Sequence, residues 1–308
     1  MSLDDAAPAR RSRASSKMWA QETQEENGMR ASFESRYGPW AIVTGASSGI
    51  GEAFAHALAS RGLRPLLVAR RESELQRVAA QVQARWGVDC AIVAADLADP
   101  AFIDALTRAC EGREIGLVVC NAAYNPAGAF LDMSRDTLRR MLQVNAEANL
   151  LLANAFLPGF KARGHGGLLL VASTEAFMGT PFSACYSASK AFVLNLGEAL
   201  WGEFDGSGVD VLVLAPGATE TPLLQSRDLG GLPVKPMSAA AVAEIGLDHL
   251  GRGPYVVPGA KNRWTQRIVR RLPRGWLIRK MAPVVGAMVA RSVRKQAAMA
   301  ESKAAPAG

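Results

Sequence analysis

The stretch Trp40-Ala-Ile-Val-Thr44-Gly-Ala-Ser-Ser-Gly-Ile-Gly51 decides the fold. Its opening residues, Trp40 to Val43, are a short apolar run of the kind a buried strand shows. The glycine-rich turn from Thr44 to Gly51 follows, then an Ala-rich segment to about Arg61 that reads as a helix. Strand, glycine turn and helix, in that order, form the setting in which such a loop cradles phosphate. Glycines let backbone N–H groups approach a pyrophosphate, and the helix N-terminus favours its charge. The pattern Gly-x-x-x-Gly-x-Gly is a variant of the dinucleotide fingerprint. The candidate cofactor residues here are Gly45, Ser47, Ser48, Gly49, Ile50 and Gly51. An ordinary tight strand–helix turn is the competing reading.

Working outward, a second strand is expected at Pro65–Ala69, ending in Arg70 and Arg71. An acid at this place would accept the ribose 2′-hydroxyl of NAD. Two arginines suit a 2′-phosphate by charge and by their planar fork, so NADP(H) is favoured over NAD(H). A helix from Glu72 to Trp86 leads to a strand at Ala91–Ala94 and then to Asp96 and Leu97. The Asp96 carboxylate can meet an adenine amino group or cap a helix. Strand four, Gly116–Cys120, ends in Asn121 and Ala122, small enough at Ala122 for a cofactor to lie close. A long helix over about 134–152 carries Asn145 in its middle, where Asn is unfavourable without a partner. Strands at Leu168–Val171, Val209–Leu214 and Tyr255–Val257 complete a set of about seven. Pro216 and Gly217 end the sixth strand, and Thr219 to Met237 reads as a flap over a ligand, with Leu223, Leu224, Leu229 and Leu232.

Alternating strands and helices predict a single α/β domain with a doubly wound parallel sheet of the Rossmann type. Ligands in such sheets bind at the carboxyl ends of the strands. The glycine loop, Arg70, Asp96, Asn121, Ser173 and Pro216 all fall at expected strand ends.

Tyr186 and Lys190 are four apart, which puts them on one helix face. An ammonium beside a phenol favours the phenolate. Bringing a phenol from about 10 to about 7 takes roughly 4 kcal/mol. A Tyr so tuned is a general acid or base, and Ser173, at a strand end, can polarise a substrate oxygen. A surface helix pair is the alternative for Tyr186 and Lys190 taken alone.

The four cysteines have no paired spacing and the three histidines are scattered, so neither a disulfide framework nor a metal cluster is indicated. With no apolar leader and no run of 18 apolar residues, the expectation is a cytoplasmic protein. Residues 1–36 are polar and charge-balanced and are expected to be a disordered leader; residues 37–260 form the catalytic domain. The net charge of +7 resides in the extension 261–308, which holds twelve Lys and Arg and one acid. There Trp276, Met281, Val285 and Met288 run among basic residues, with Pro273 and Pro283 expected to break the run into short helices. This basic amphipathic segment suits peripheral contact with an anionic membrane. It also suits a cover over the substrate cleft, or a partner subunit. No reader fold accompanies the charge, so nucleic-acid binding is not expected.

Together these motifs resemble the short-chain dehydrogenase/reductase family over about residues 38–260. The resemblance rests on Thr44-Gly-x-x-x-Gly-x-Gly51, Asp96, Asn121-Ala122, Asn145, Ser173, Tyr186-x-x-x-Lys190 and Pro216-Gly217-x-x-x-Thr221. It implies an NAD(P) cofactor and often a dimer or tetramer. It implies Tyr186 as proton donor and acceptor, Lys190 on the nicotinamide ribose, Ser173 on the substrate oxygen and Asn145 placing a relay water. Glu114–Val119 and the segment after Tyr255 look similar to the 17β-hydroxysteroid dehydrogenase and long-chain 3-oxoacyl-CoA reductase group. Ala123 replaces the usual Gly of that family's Asn-Asn-Ala-Gly, and Ser48 stands where some NADP enzymes carry a basic residue. The expected activity is interconversion of an apolar carbonyl (steroid, fatty acyl or aromatic ketone) and its alcohol. The alternative is a cofactor-binding scaffold or sensor without turnover.

Overall fold

The computed structural model describes residues 33–228 and 235–304, with side chains to 296. Its centre is a sheet of seven parallel strands in the order β3-β2-β1-β4-β5-β6-β9. These are β1 (Trp40–Thr44), β2 (Arg64–Ala69), β3 (Ala91–Ala94), β4 (Ile115–Cys120), β5 (Gly166–Val171), β6 (Val209–Leu214) and β9 (Tyr255–Val256). The seven expected strands are all present. β7 (Thr219–Glu220) and β8 (Met237–Ser238) add a separate two-stranded ladder beside the flap.

Successive residues of the central strands point to opposite faces, so each strand feeds two cores. Ala41, Val43, Leu67 and Val119 enter one core, with helices α2 (Gly49–Ser60), α3 (Glu72–Trp86) and α9 (Ala239–Asp248). Ile42, Leu66, Val68 and Val118 enter the other, with α4 (Phe102–Ala109), α6 (Ala148–Arg163) and α7 (Ala184–Glu203). Both faces are covered, which is why the strands read as continuous apolar runs rather than alternating ones.

Three expectations need correction. Residues 33–36, expected within the disordered leader, belong to a helical turn over 33–37 (α1). The Phe33 and Tyr37 rings lie 4.7 Å apart, and Arg36 and Tyr37 both reach Asp210 on β6. These are long-range contacts that a polar local pattern does not reveal. Residues 1–32 lie outside the described residues. The helix expected over 134–152 is three pieces: α5 (Arg135–Leu142), a π-turn (Gln143–Glu147) and α6, which runs on to Arg163. Ser134 caps α5 by accepting from the Thr137 N–H at 3.1 Å, and Gly164 closes α6 in the left-handed conformation. Finally, Pro273 separates α10 (Ala260–Val269) from α11 (Arg274–Ala304), but Pro283 sits inside α11 without ending it. A proline forfeits one backbone bond, and apolar packing of the turns that follow sustains the helix. In the flap, α8 (Pro222–Gln225) is ordered, whereas Leu229 and Leu232 lie outside the described residues.

Candidate active site

The glycine loop is laced to the end of β4. Thr44 Oγ1 accepts from the backbone N–H of Asn121 at 2.9 Å and of Ala122 at 3.1 Å. The Asn121 side chain returns Nδ2–H to the Thr44 carbonyl at 2.9 Å, so it holds the loop. Gly45 has φ +67°, and a Cβ there would lie 2.8 Å from Ala122 Cα. A Cβ on Gly51 would lie 2.2 Å from the Gly45 carbonyl oxygen. Only glycine permits this closure. Ser48 is the N-cap of α2 but makes no side-chain cap bond, leaving the first-turn amides without a side-chain acceptor. That arrangement fits a pyrophosphate.

A continuous cleft of about 660 Å³ runs from this loop along the carboxyl ends of the strands. Arg70 and Arg71 line one end, and Arg71 Nη2 donates to Ser47 Oγ at 3.1 Å. Arg77, six residues on in α3, donates to the Ser47 carbonyl and pairs with Glu52 at 2.8 Å and Glu74 at 2.9 Å. Nothing local in the sequence singles Arg77 out, because Glu52 and Ser47 lie on another element. Leu97 is buried along the cleft wall. The Asp96 carboxylate, expected to meet adenine, is bound by Arg140 Nη2 at 2.5 Å and by the Ala98 N–H at 3.1 Å. Pro216, Gly217 and Thr221 line the far lip, where a Cβ on Gly49 would lie 3.0 Å from Thr221 Cγ2.

Ser173, Tyr186 and Lys190 meet in the middle of the cleft. Ser173 Oγ accepts from the Glu175 N–H at 3.1 Å and lies beside the Tyr186 hydroxyl, close enough to favour its ionised form. Lys190 is buried, and its Nζ donates to the Val171 carbonyl at 2.8 Å while lying 5.8 Å from the Tyr186 ring centre. Burial lowers the Lys190 pKa to about 8. The chain's own residues do not lower the Tyr186 phenol as the four-residue spacing predicts. Burial, and then the negative field of Glu175, push it well above 10, against weaker pulls from Ser173 and Arg227. Desolvation of a phenolate outweighs a lysine that is turned toward a strand carbonyl.

Asn145 is fully buried in the π-turn, and does not line the cleft. Its Oδ1 accepts from the Tyr124 N–H at 2.7 Å, and its Nδ2 donates to the Tyr124 carbonyl and Ser189 Oγ. The partner demanded by a mid-helix Asn is thus the strand-end loop after β4. π-turns of this sort recur at functional sites.

Two charged cleft residues were given no role by the sequence reading: Glu175, inside the Ser173–Glu175 segment where the chemistry is expected, and Arg227, from the turn after α8. Helix α11 roofs the same end of the cleft with Met281, Val285, Met288 and Val289. Phe182, with φ +59°, places its ring where Gly286 of α11 leaves room; a Cβ there would lie 2.8 Å from it. Ser292 Oγ accepts from the Asp228 N–H at 2.9 Å, and Lys295 Nζ donates to the Gln225 carbonyl at 2.7 Å. The basic extension therefore covers the cleft, one of the roles its pattern left open. No helix among the described residues is long and apolar enough to cross a membrane.

The chain is similar to a 7beta-hydroxysteroid dehydrogenase of Collinsella aerofaciens, 30% identical over 233 residues, or 74% of this chain and 89% of that protein. It is also similar to the human "inactive hydroxysteroid dehydrogenase-like protein 1", 35% identical over 61% of this chain and 58% of that one. Among solved structures it resembles a short-chain dehydrogenase from Sphingobium yanoikuyae in complex with NADPH. There the TM-score is 0.67 at 30% identity, covering 76% of this chain and 96% of the other. The short chain dehydrogenase family profile matches residues 39–230. With that match spanning more than half its length, the chain belongs to the short chain dehydrogenase family of oxidoreductases.

Proposed function

We propose that this protein is an NADP(H)-dependent reductase of bulky apolar ketones, able to run the reverse alcohol oxidation. The observation that carries the reading is one continuous cleft, with the glycine loop and Arg70–Arg71 at one end and an apolar wall from α11 at the other. Ser173, Tyr186 and Lys190 stand between the two. A nicotinamide cofactor bound along that edge supplies the hydride. Ser173 and Tyr186 hold the substrate oxygen between two hydroxyls. Tyr186, kept protonated at neutral pH by burial, gives its proton to the oxygen as the carbonyl is reduced. Lys190 anchors the helix carrying Tyr186 to the end of β5 and offers its remaining N–H donors to the cofactor ribose. Asn145 fixes the Tyr124 loop and would orient a relay water from there.

Arg70 and Arg71 support NADP(H) over NAD(H), as does the resemblance to an NADPH complex. The relative named as a 7beta-hydroxysteroid dehydrogenase supports a bulky alicyclic substrate. Exposed Leu150, Phe192 and Trp201 support a homo-oligomer. Exposed Trp264 and Trp276 among arginines leave room for peripheral membrane contact.

The relative named inactive favours a second reading, a cofactor-binding protein without turnover. Both are tested by NADPH and NADH oxidation against steroids, 3-oxoacyl thioesters and aromatic ketones, with Tyr186→Phe as control. NADPH-dependent reduction of a bulky ketone, lowered about a hundredfold or more by Tyr186→Phe, is expected. Cofactor binding without turnover of any member would favour the second reading.

A further inference from the structure

The end of the cleft beyond Tyr186 is lined by Phe182, Leu223, Met281, Val285 and Met288, with two charged residues, Glu175 and Arg227, among them. Glu175 lines this end, half-buried as a residue, but its Oε2 is out of reach of water and has no hydrogen-bond partner. The Ser183 and Thr180 hydroxyls lie near enough to the carboxyl group to favour its charged form against burial. Arg227 attracts it through space, while its own Nη2 donates to the Asn125 carbonyl at 2.6 Å. A buried carboxylate oxygen with no donor is costly, and no step proposed above gives the Glu175 carboxylate a contact with the substrate. The residue is beside the reacting centre. Its N–H donates to Ser173 Oγ and its charge is felt at Tyr186.

We propose that Glu175 is a specificity-determining residue: its carboxylate, at the cleft wall beside Ser173, accepts a hydrogen bond from a hydroxyl that the substrate carries close to the reacting carbonyl. The preferred substrates are then bulky hydroxy ketones and, in reverse, the matching diols. Burial raises the Glu175 pKa, against the Ser183 hydroxyl and the Arg227 charge; in its carboxylate form the group accepts and does not donate, and so selects an O–H neighbour over an ether or a plain methylene. A site built around a substrate hydroxyl discriminates strongly against analogues lacking it, because the protein group is left unpaired. The apolar wall accommodates the remainder of the molecule.

This inference rests on the reductase reading for the place of the carbonyl, so binding and turnover are measured separately. The probes are 2-hydroxy-1,2-diphenylethanone, its methoxy analogue and its deoxy analogue. Affinity is read by calorimetry on the full chain saturated with NADPH, and NADPH oxidation is followed in parallel. The hydroxy ketone should bind about tenfold tighter or more than either analogue. Glu175→Leu should bring that ratio close to one, and Glu175→Gln, which keeps an acceptor, should retain most of it. NADPH binding by each variant reports that it is folded. Equal affinities in the wild type, binding of none of the three, a methoxy ketone as tight as the hydroxy ketone, or a preference that survives Glu175→Leu would each overturn the proposal. Selective hydroxy-ketone binding without NADPH oxidation would leave it standing and count against the reductase reading.

Discussion

Lys190 Nζ donates to the Val171 carbonyl at 2.8 Å, joining the middle of the cleft to the end of β5 through a buried ammonium. Burial lowers its pKa from the ordinary 10.5 to about 8. Between those values the unfolded chain binds the proton and the folded chain does not, so stability rises with pH there. The cost of burying the charge is fully present below about 8 and is relieved as pH climbs to 10.5, by about 3 kcal/mol. Denaturant unfolding of the cofactor-free protein across that window should show this slope, and Lys190→Met should flatten it. An equal slope in the variant would remove Lys190 as its source.

Glu175 acts on Tyr186 with the opposite sign to a lysine. Its negative field raises the phenol, so the tyrosine is held as an acid suited to ketone reduction. Glu175→Gln removes the charge and should move the alkaline rise of alcohol oxidation toward lower pH. The check is the pH profile of kcat/KM for oxidation in both proteins. A profile that stays in place would separate Glu175 from the proton chemistry.

Arg70 and Arg71 line the cleft end beside Ser47. Replacing both with Ala should weaken NADPH about tenfold or more, the scale of a charge-assisted phosphate contact, and leave NADH nearly unchanged. Fluorescence titration with the two cofactors reads the ratio directly. A parallel loss for both would mean the arginines support the loop rather than a 2′-phosphate.

Helix α11 is latched by Ser292 and Lys295 to the turn that carries Arg227. Ending the chain at Pro273 should raise KM for a bulky apolar ketone by about tenfold, since half-buried Met281, Val285 and Met288 and buried Val289 leave the wall. NADPH affinity should hold, because the glycine loop and Arg70 lie at the other end. Unchanged KM for the bulky ketone would show that the roof is not part of the substrate site.

Asp210 on β6 accepts from Tyr37 Oη at 2.5 Å and from Arg36 Nε at 2.6 Å. Tyr37 is 4% exposed, so Asp210→Ala strands its hydroxyl in the core. The expected loss is about 2–3 kcal/mol, read as a lower denaturant midpoint with unchanged slope. Tyr37→Phe, which removes donor and leaves Asp210 to Arg36, should cost less.

The sequence by itself determined the strands, their order along the chain and most of the cleft. Buried parallel strands are unbroken apolar runs, and glycine at 45, 49 and 51 is imposed by backbone geometry that a single stretch displays. Ser173, Tyr186 and Lys190 were legible because a strand end and a helix start bring them together over short separations. Tertiary structure alone decided what surrounds them. Glu175 feels Tyr186 and Arg227, from α7 and from the turn after α8, only once those elements pack around the cleft. Asp96, in the loop after β3, is claimed by Arg140 from α5, and Asn145 sits in a π-turn held by Tyr124. The extension became a roof, because Gly286 gives Phe182 room and residues 225–228 offer α11 their backbone groups. Local pattern carries periodicity and backbone constraint. The sign of a pKa shift, and which face a basic helix covers, depend on burial and on partners distant in sequence, and these exist only once the chain has folded.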